Sequence, residues 1–123
     1  MDKLKLSNLH HKEHQKWLSQ LDFYQDEIKI FQNELVTALH RHPNFLSIAE
    51  HVEEYRSIFL KKLGHIDEYR HRIIYLEKHL SQHLDPNPEN LWDHETLRNH
   101  VSEFVSDFEK LKANFRRFVS RNQ

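Results

Sequence analysis

Apolar side chains recur at alternating steps of three and four residues in three long segments, about 7–42, 44–84 and 88–121. Such steps place a row of side chains, here called a seam, on one face of a helix that packs beside other helices. The first seam is Trp17, Leu21, Tyr24, Ile28, Phe31, Leu35 and Ala38. The second is Phe45, Ile48, Val52, Tyr55, Phe59, Lys62, Ile66, Tyr69, Ile73, Leu76 and Leu80. The third is Leu97, Val101, Phe104, Phe108, Leu111, Phe115 and Phe118.

Two proline-containing breaks separate these segments, at His42-Pro43-Asn44 and at Asp85-Pro86-Asn87-Pro88. Proline disfavours the helical conformation in the residue before it, so both sites should end helices. Asn87 has the character of an N-cap and Pro88 that of a first helical residue. Because short connections between long helices make neighbours antiparallel, the sequence predicts an all-α, up-down-up bundle of three helices, a single domain over 1–123.

Gly64 offers an alternative to this topology, because a glycine after Lys61-Lys62-Leu63 can cap a helix end. The second segment would then be two helices and the bundle would have four. The seam nevertheless keeps its phase across the glycine, from Phe59 to Ile66. We therefore expect a continuous second helix.

Histidine is unusually frequent, at 12 of 123 residues, and several histidines continue the seams at one end of the bundle. In the up-down-up order, the starts of the first and third helices meet the end of the second. The seam positions there are occupied by His10, His14, His83 and His94, with Glu77 and His79 flanking the second seam and Glu13 the first. At the chain-wide frequency, fewer than one histidine is expected among the seven seam positions of this end. In contrast, His40, His51, His65, His71 and His100 fall off the seams and are expected in solvent.

A cluster of this kind can bind a metal ion. Histidines at i and i+4 share a helix face, so His10 with His14, or His79 with His83, can reach one ion. Imidazole suits zinc and ferrous iron, and an acidic neighbour such as Glu77 completes a mixed site. Two other interpretations stay open. In the first, the rings are half-buried polar groups bonded to water, to Glu77 or to one another. In the second, the histidines make the protein responsive to pH, because protonation of all twelve changes the formal net charge from −1 to +11.

Composition and motifs argue against several function classes. The chain has 18 Lys+Arg and 19 Asp+Glu, whereas nucleic-acid binders usually carry a basic excess. It has no cysteine, and its single glycine excludes a glycine-rich phosphate loop. No serine stands in a nucleophile-elbow context, so an enzyme is not expected. With no leader-like start and no run of 18 apolar residues, we expect a cytoplasmic protein without a membrane segment.

The function predicted from these features is protein–protein contact, with a partner protein or as a homodimer. Long bundles expose much side surface, and several apolar residues lie off the seams: Phe23, Ile30, Val36, Ile58, Leu60 and Ile74. They form either a partner-binding stripe or a wider buried face. The basic residues at 110–121 are most simply paired with neighbouring acids or solvated.

Overall fold

Three long helices make up the described part of the computed structural model, which covers residues 3–82 and 91–122, with side chains from 8–80 and 91–122. Helix α1 spans Lys3–Arg41, helix α2 spans Phe45–Gln82 and helix α3 spans His94–Arg121. No helix in this part of the chain is both long and apolar enough to cross a bilayer.

The helices run up, down and up, as predicted. Helices α1 and α2 are antiparallel, because Asp22 pairs with Arg70 at 2.7 Å while the rings of Phe31 and Phe59 lie 6.1 Å apart. Helices α1 and α3 are parallel, with Trp17 near His94 at one end and Phe31 near Phe115 further along. The start of α1, the end of α2 and the start of α3 therefore share one end of the bundle.

The predicted seams form the core. All seven residues of the first seam are buried, as are six of the seven in the third. Aromatic rings dominate the middle, where Phe59 and Phe108 are fully buried and Phe115 contacts Phe59 edge-on at 5.1 Å. The polar seam residue Lys62 fits because its ammonium lies over the ring of Phe104 at 5.4 Å.

Two seam assignments near the ends of α2 are wrong. Phe45 is 55% exposed and Leu80 is 45% exposed, whereas the neighbouring His79 is only 6% exposed. Close to a helix end, the packing partners no longer surround the seam, so its periodicity stops predicting burial.

Helix α2 continues through Gly64, so the four-helix alternative is wrong. A Cβ atom added at Gly64 would meet no heavy atom within 4 Å. Nothing in its surroundings therefore requires glycine, and its neighbours carry the helix through it.

Helix α3 begins later than predicted. Residues 91–93 are not helical, and Asp93 is the N-cap, its Oδ1 accepting from the Thr96 amide at 2.8 Å. The prediction that residues 91–93 are already helical is therefore wrong. The expected N-cap Asn87 and first helical residue Pro88 lie outside the described residues. A carboxylate at an N-cap satisfies an otherwise free amide and favours the helix dipole, which fixes the start at His94.

Candidate functional site

Three histidine rings come together at the end of the bundle where α1 and α3 begin. His10 stacks on His94 with ring centroids 3.7 Å apart, and the His14 ring lies 4.8 Å from His94. Trp17 forms the floor, 5.2 Å from His14 and 4.9 Å from His94. The His14 side chain is fully buried and that of His94 is 10% exposed. The cluster is therefore the polar cap of the aromatic core.

A continuous chain of hydrogen bonds runs through the cluster and joins all three helices. Glu77 of α2 accepts from Nδ1 of His14 and, at 3.0 Å, from Nδ1 of His11. Nε2 of His14 lies 2.8 Å from Nδ1 of His94. His94 in turn donates from Nε2 to Glu13 at 3.1 Å.

The chain of hydrogen bonds ends on Arg98 of α3. Its Nη2 and Nε donate to the two oxygens of Glu13 at 2.7 and 3.1 Å. This bidentate ion pair fixes the position of the Glu13 carboxylate and orients it towards His94.

The two carboxylates set the direction of the outer hydrogen bonds in this chain. Because a carboxylate accepts, Nδ1 of His14 donates to Glu77 and Nε2 of His94 donates to Glu13. The two inner nitrogens, Nε2 of His14 and Nδ1 of His94, face each other at 2.8 Å. The two rings therefore connect a carboxylate of α2 to a carboxylate of α1.

The surroundings shift the pKa values of these groups. Burial lowers the pKa of His94, and the neighbouring rings of His10 and His14 lower it further, against the opposing effect of Glu13. The hydrogen bond from Arg98 is the main cause that holds the pKa of Glu13 at about 2. Burial by itself would raise the pKa of Glu77, but hydrogen bonds from His11 and His14 bring it below its ordinary value.

The predicted site residues divide into three groups. His10, His14, His94 and Glu77 are gathered at one end, as the seam phase predicted. His79 is buried with its ring 6.4 Å from Tyr75, and neither ring nitrogen has a hydrogen-bond partner among the described residues. His83 lies outside the described residues.

Sequence reasoning missed two members of the cluster and misjudged two other histidines. His11 and Arg98 lie off the seams, and the signal that could have found them is their position one helical turn from the seam histidines His14 and His94. His65 and His100, expected in solvent, are half-buried. They stack on Tyr69 at 5.9 Å and on Trp92 at 4.1 Å, because a planar ring beside a helix covers exposed aromatic surface.

The side chains of the cluster bind one another in this arrangement. Both nitrogens of His14 and both of His94 have hydrogen-bond partners, and the ring of His10 is stacked on that of His94. Among the described residues, no three His, Asp or Glu side chains form a group that could hold a metal ion. Binding an ion here would require the rings to exchange their present partners for it.

Comparison of the chain with models of protein families, with curated proteins and with solved structures finds no match in any of the three.

Proposed function

We propose that this helical bundle acts through protein–protein contact, and that a second copy of the chain is one partner. The observation that supports the proposal is the exposure of the apolar residues that lie off the seams. All six are exposed, from 38% for Ile58 to 56% for Phe23 and Ile30. They are not part of a wider buried face, so large apolar side chains remain available to a partner.

Phe23 and Ile30 form the clearest pair. They are seven residues apart on α1, which is two helical turns, so they lie on the same face. Ile30, Ile58 and Ile74 line three separate grooves, so the six residues do not form one continuous stripe. A contact centred on Phe23 and Ile30 is therefore the simplest one to test.

Sedimentation equilibrium over a wide concentration range tests self-association. We expect the weight-average mass to rise above 15.1 kDa with concentration. The double variant Phe23→Ser, Ile30→Ser should shift association to at least tenfold higher concentration. Leu46→Ser removes another exposed apolar residue, 74% exposed at the start of α2, and serves as the matched control. A wild-type chain that stays monomeric at every concentration contradicts self-association.

Metal binding by the histidine cluster is the second proposal. His10, His14 and His94 converge beside Glu77, and an ion would have to replace the hydrogen bonds that these side chains now make with one another. Zinc or ferrous iron suits imidazole and carboxylate ligands. Elemental analysis of protein purified without a histidine tag, followed by His14→Ala, tests it. Retained metal that the variant loses supports the site, whereas a metal-free wild type that also ignores added zinc contradicts it.

A further inference from the structure

The strongest unassigned surface is a groove at the end of the bundle opposite the histidine cluster. It lies between the start of α2 and the end of α3 and has a volume of about 810 Å³. Its floor is apolar, with Tyr55 and Phe118 in ring contact at 5.0 Å and Ile58 at its edge. A groove with an apolar floor between two antiparallel helices can bind the apolar face of a further helix.

The wall of this groove on α3 is basic. Arg117 and Arg121 lie four residues apart on α3 and both line it. Arg117 donates to Asn114, and no carboxylate among the described residues pairs with either arginine. The opposite wall carries His51 and Glu54, which contact each other at 3.7 Å and are both more than 60% exposed. A helix seated here would meet an apolar floor and positive charge along one side.

The exposed face of α1 has the complementary character. Asp26 is three residues after Phe23, and Glu34 is four residues after Ile30, so each acid lies beside one apolar side chain. Both acids are exposed, and neither forms an ion pair within the described part of the chain. The neighbouring Glu27, in contrast, pairs with Lys112 at 2.7 Å.

We infer that the groove between α2 and α3 of one copy receives the Phe23–Ile30 face of α1 from a second copy, with Asp26 and Glu34 placed against Arg117 and Arg121. This inference rests on the proposed self-association and names the two surfaces that perform it. The groove is lined by α2 and the end of α3, so a bundle cannot fill it with its own α1. Because the two surfaces differ, the contact is heterologous, and each pair of copies leaves one groove and one α1 face free for further association.

Charge reversal in two separate variants tests the inference. The groove variant is Arg117→Glu with Arg121→Glu, and the face variant is Asp26→Lys with Glu34→Lys. Each alone should weaken self-association at least tenfold, because like charges then meet across the contact. An equimolar mixture should associate again, since the unaltered face of one variant meets the unaltered groove of the other.

The matched control is Lys61→Glu with Lys110→Glu, which changes the net charge as the groove variant does but at exposed positions outside the groove. It should associate like the wild type. Association of the wild type should also weaken between 50 and 500 mM salt, because exposed ion pairs are screened.

The outcomes separate this inference from the proposed function. Association that survives both charge variants but not Phe23→Ser, Ile30→Ser overturns the groove contact and leaves self-association in place. A mixture that stays dissociated also overturns it. A wild-type chain that is monomeric at all concentrations overturns both.

Discussion

At the scale of single residues, His14 is the buried residue that links the hydrogen bonds of the histidine cluster. It is fully buried, and it is held by a carboxylate from α2 on one side and an imidazole from α3 on the other. A buried polar group is tolerated when its hydrogen bonds are complete, and removal of one partner costs more than the bond itself contributes. The stability of this end of the bundle should therefore depend on each partner and on its protonation.

The neutral variant Glu77→Gln tests the first dependence. His11 and His14 bond to different oxygens of Glu77, and glutamine has a donor NH2 group in place of one of them. One hydrogen bond is therefore lost, and we expect the free energy of unfolding to fall by about 1–3 kcal/mol. Chemical denaturation at pH 7 measures this change. Glu53→Gln is the matched control, because Glu53 is 69% exposed and pairs only at 3.4 Å with Arg56. It should change stability by less than about 0.5 kcal/mol.

The dependence on protonation gives a pH profile with two steps. Since the pKa of His94 is lowered in the folded state, the unfolded chain binds more protons once the pH falls below about 6.5. Stability should then decrease as pH falls from 6.5 towards the folded pKa, by at most about 1.4 kcal/mol per pH unit for one histidine. Glu77 and Glu13 have lowered pKa values and stabilise the fold above about 4.5. Their contribution should be lost below that pH, for Glu13 down to about 2.

Thermal unfolding from pH 8 to pH 3 without metal measures the profile. His94→Gln should make the first step shallower, whereas His71→Gln, at a side chain that is 73% exposed, should leave it unchanged. A transition temperature that stays constant between pH 7 and pH 5.5 would contradict the role assigned to His94.

At the scale of the helices, α2 shows that burial of the seam residues outweighs the low helix propensity of a single glycine. Glycine in a helix interior costs about 0.5–1 kcal/mol relative to alanine, which is small beside the burial of Phe59 and Ile66 on either side of Gly64. The helix therefore continues through the glycine.

Gly64→Ala should stabilise the protein by about 0.5–1 kcal/mol, because the helix gains propensity and the added methyl group enters open space. Urea denaturation measures the gain. The reverse substitution at an exposed alanine in α3, Ala113→Gly, should lower stability by a similar amount. A destabilised Gly64→Ala variant would show that the glycine has a role at its position that the bundle packing does not explain.

At the scale of the whole molecule, one aromatic core links the three helices along the bundle. Phe108 is fully buried and lies 4.6 Å from Tyr24 and 6.3 Å from Phe31, so its ring connects α3 to α1. The exposed apolar residues are separate from this core and are free to take part in contacts with other molecules. The two sets should differ sharply when truncated.

Phe108→Ala should destabilise the fold by about 3–5 kcal/mol, through lost burial and the cavity left behind. Phe23→Ala removes the same ring from a position that is 56% exposed and should cost less than about 1 kcal/mol in the monomer. Denaturant unfolding at low protein concentration compares them. Equal losses in the two variants would contradict the assignment of Phe23 to the surface.

The spacing of apolar residues determined three helices and their buried faces, and the short proline-containing connections determined that consecutive helices are antiparallel. These features follow from local geometry, because a helix of known period places Leu21 and Ile28 on the same face whatever the neighbours are. The same phase was enough to predict that His10, His14 and His94 meet at one end and that Glu77 lies beside them.

Only the tertiary structure decided what those histidines bind. The pairing of His14 with His94, the recruitment of His11 and Arg98, and the burial of His79 in place of Leu80 depend on how far each helix is shifted and rotated against the others. Sequence periodicity fixes the direction of a side chain to within a face of the helix, whereas a hydrogen bond requires its atoms to be placed to within a few tenths of an ångström. That placement results from the packing of all three helices together, and no segment contains it alone.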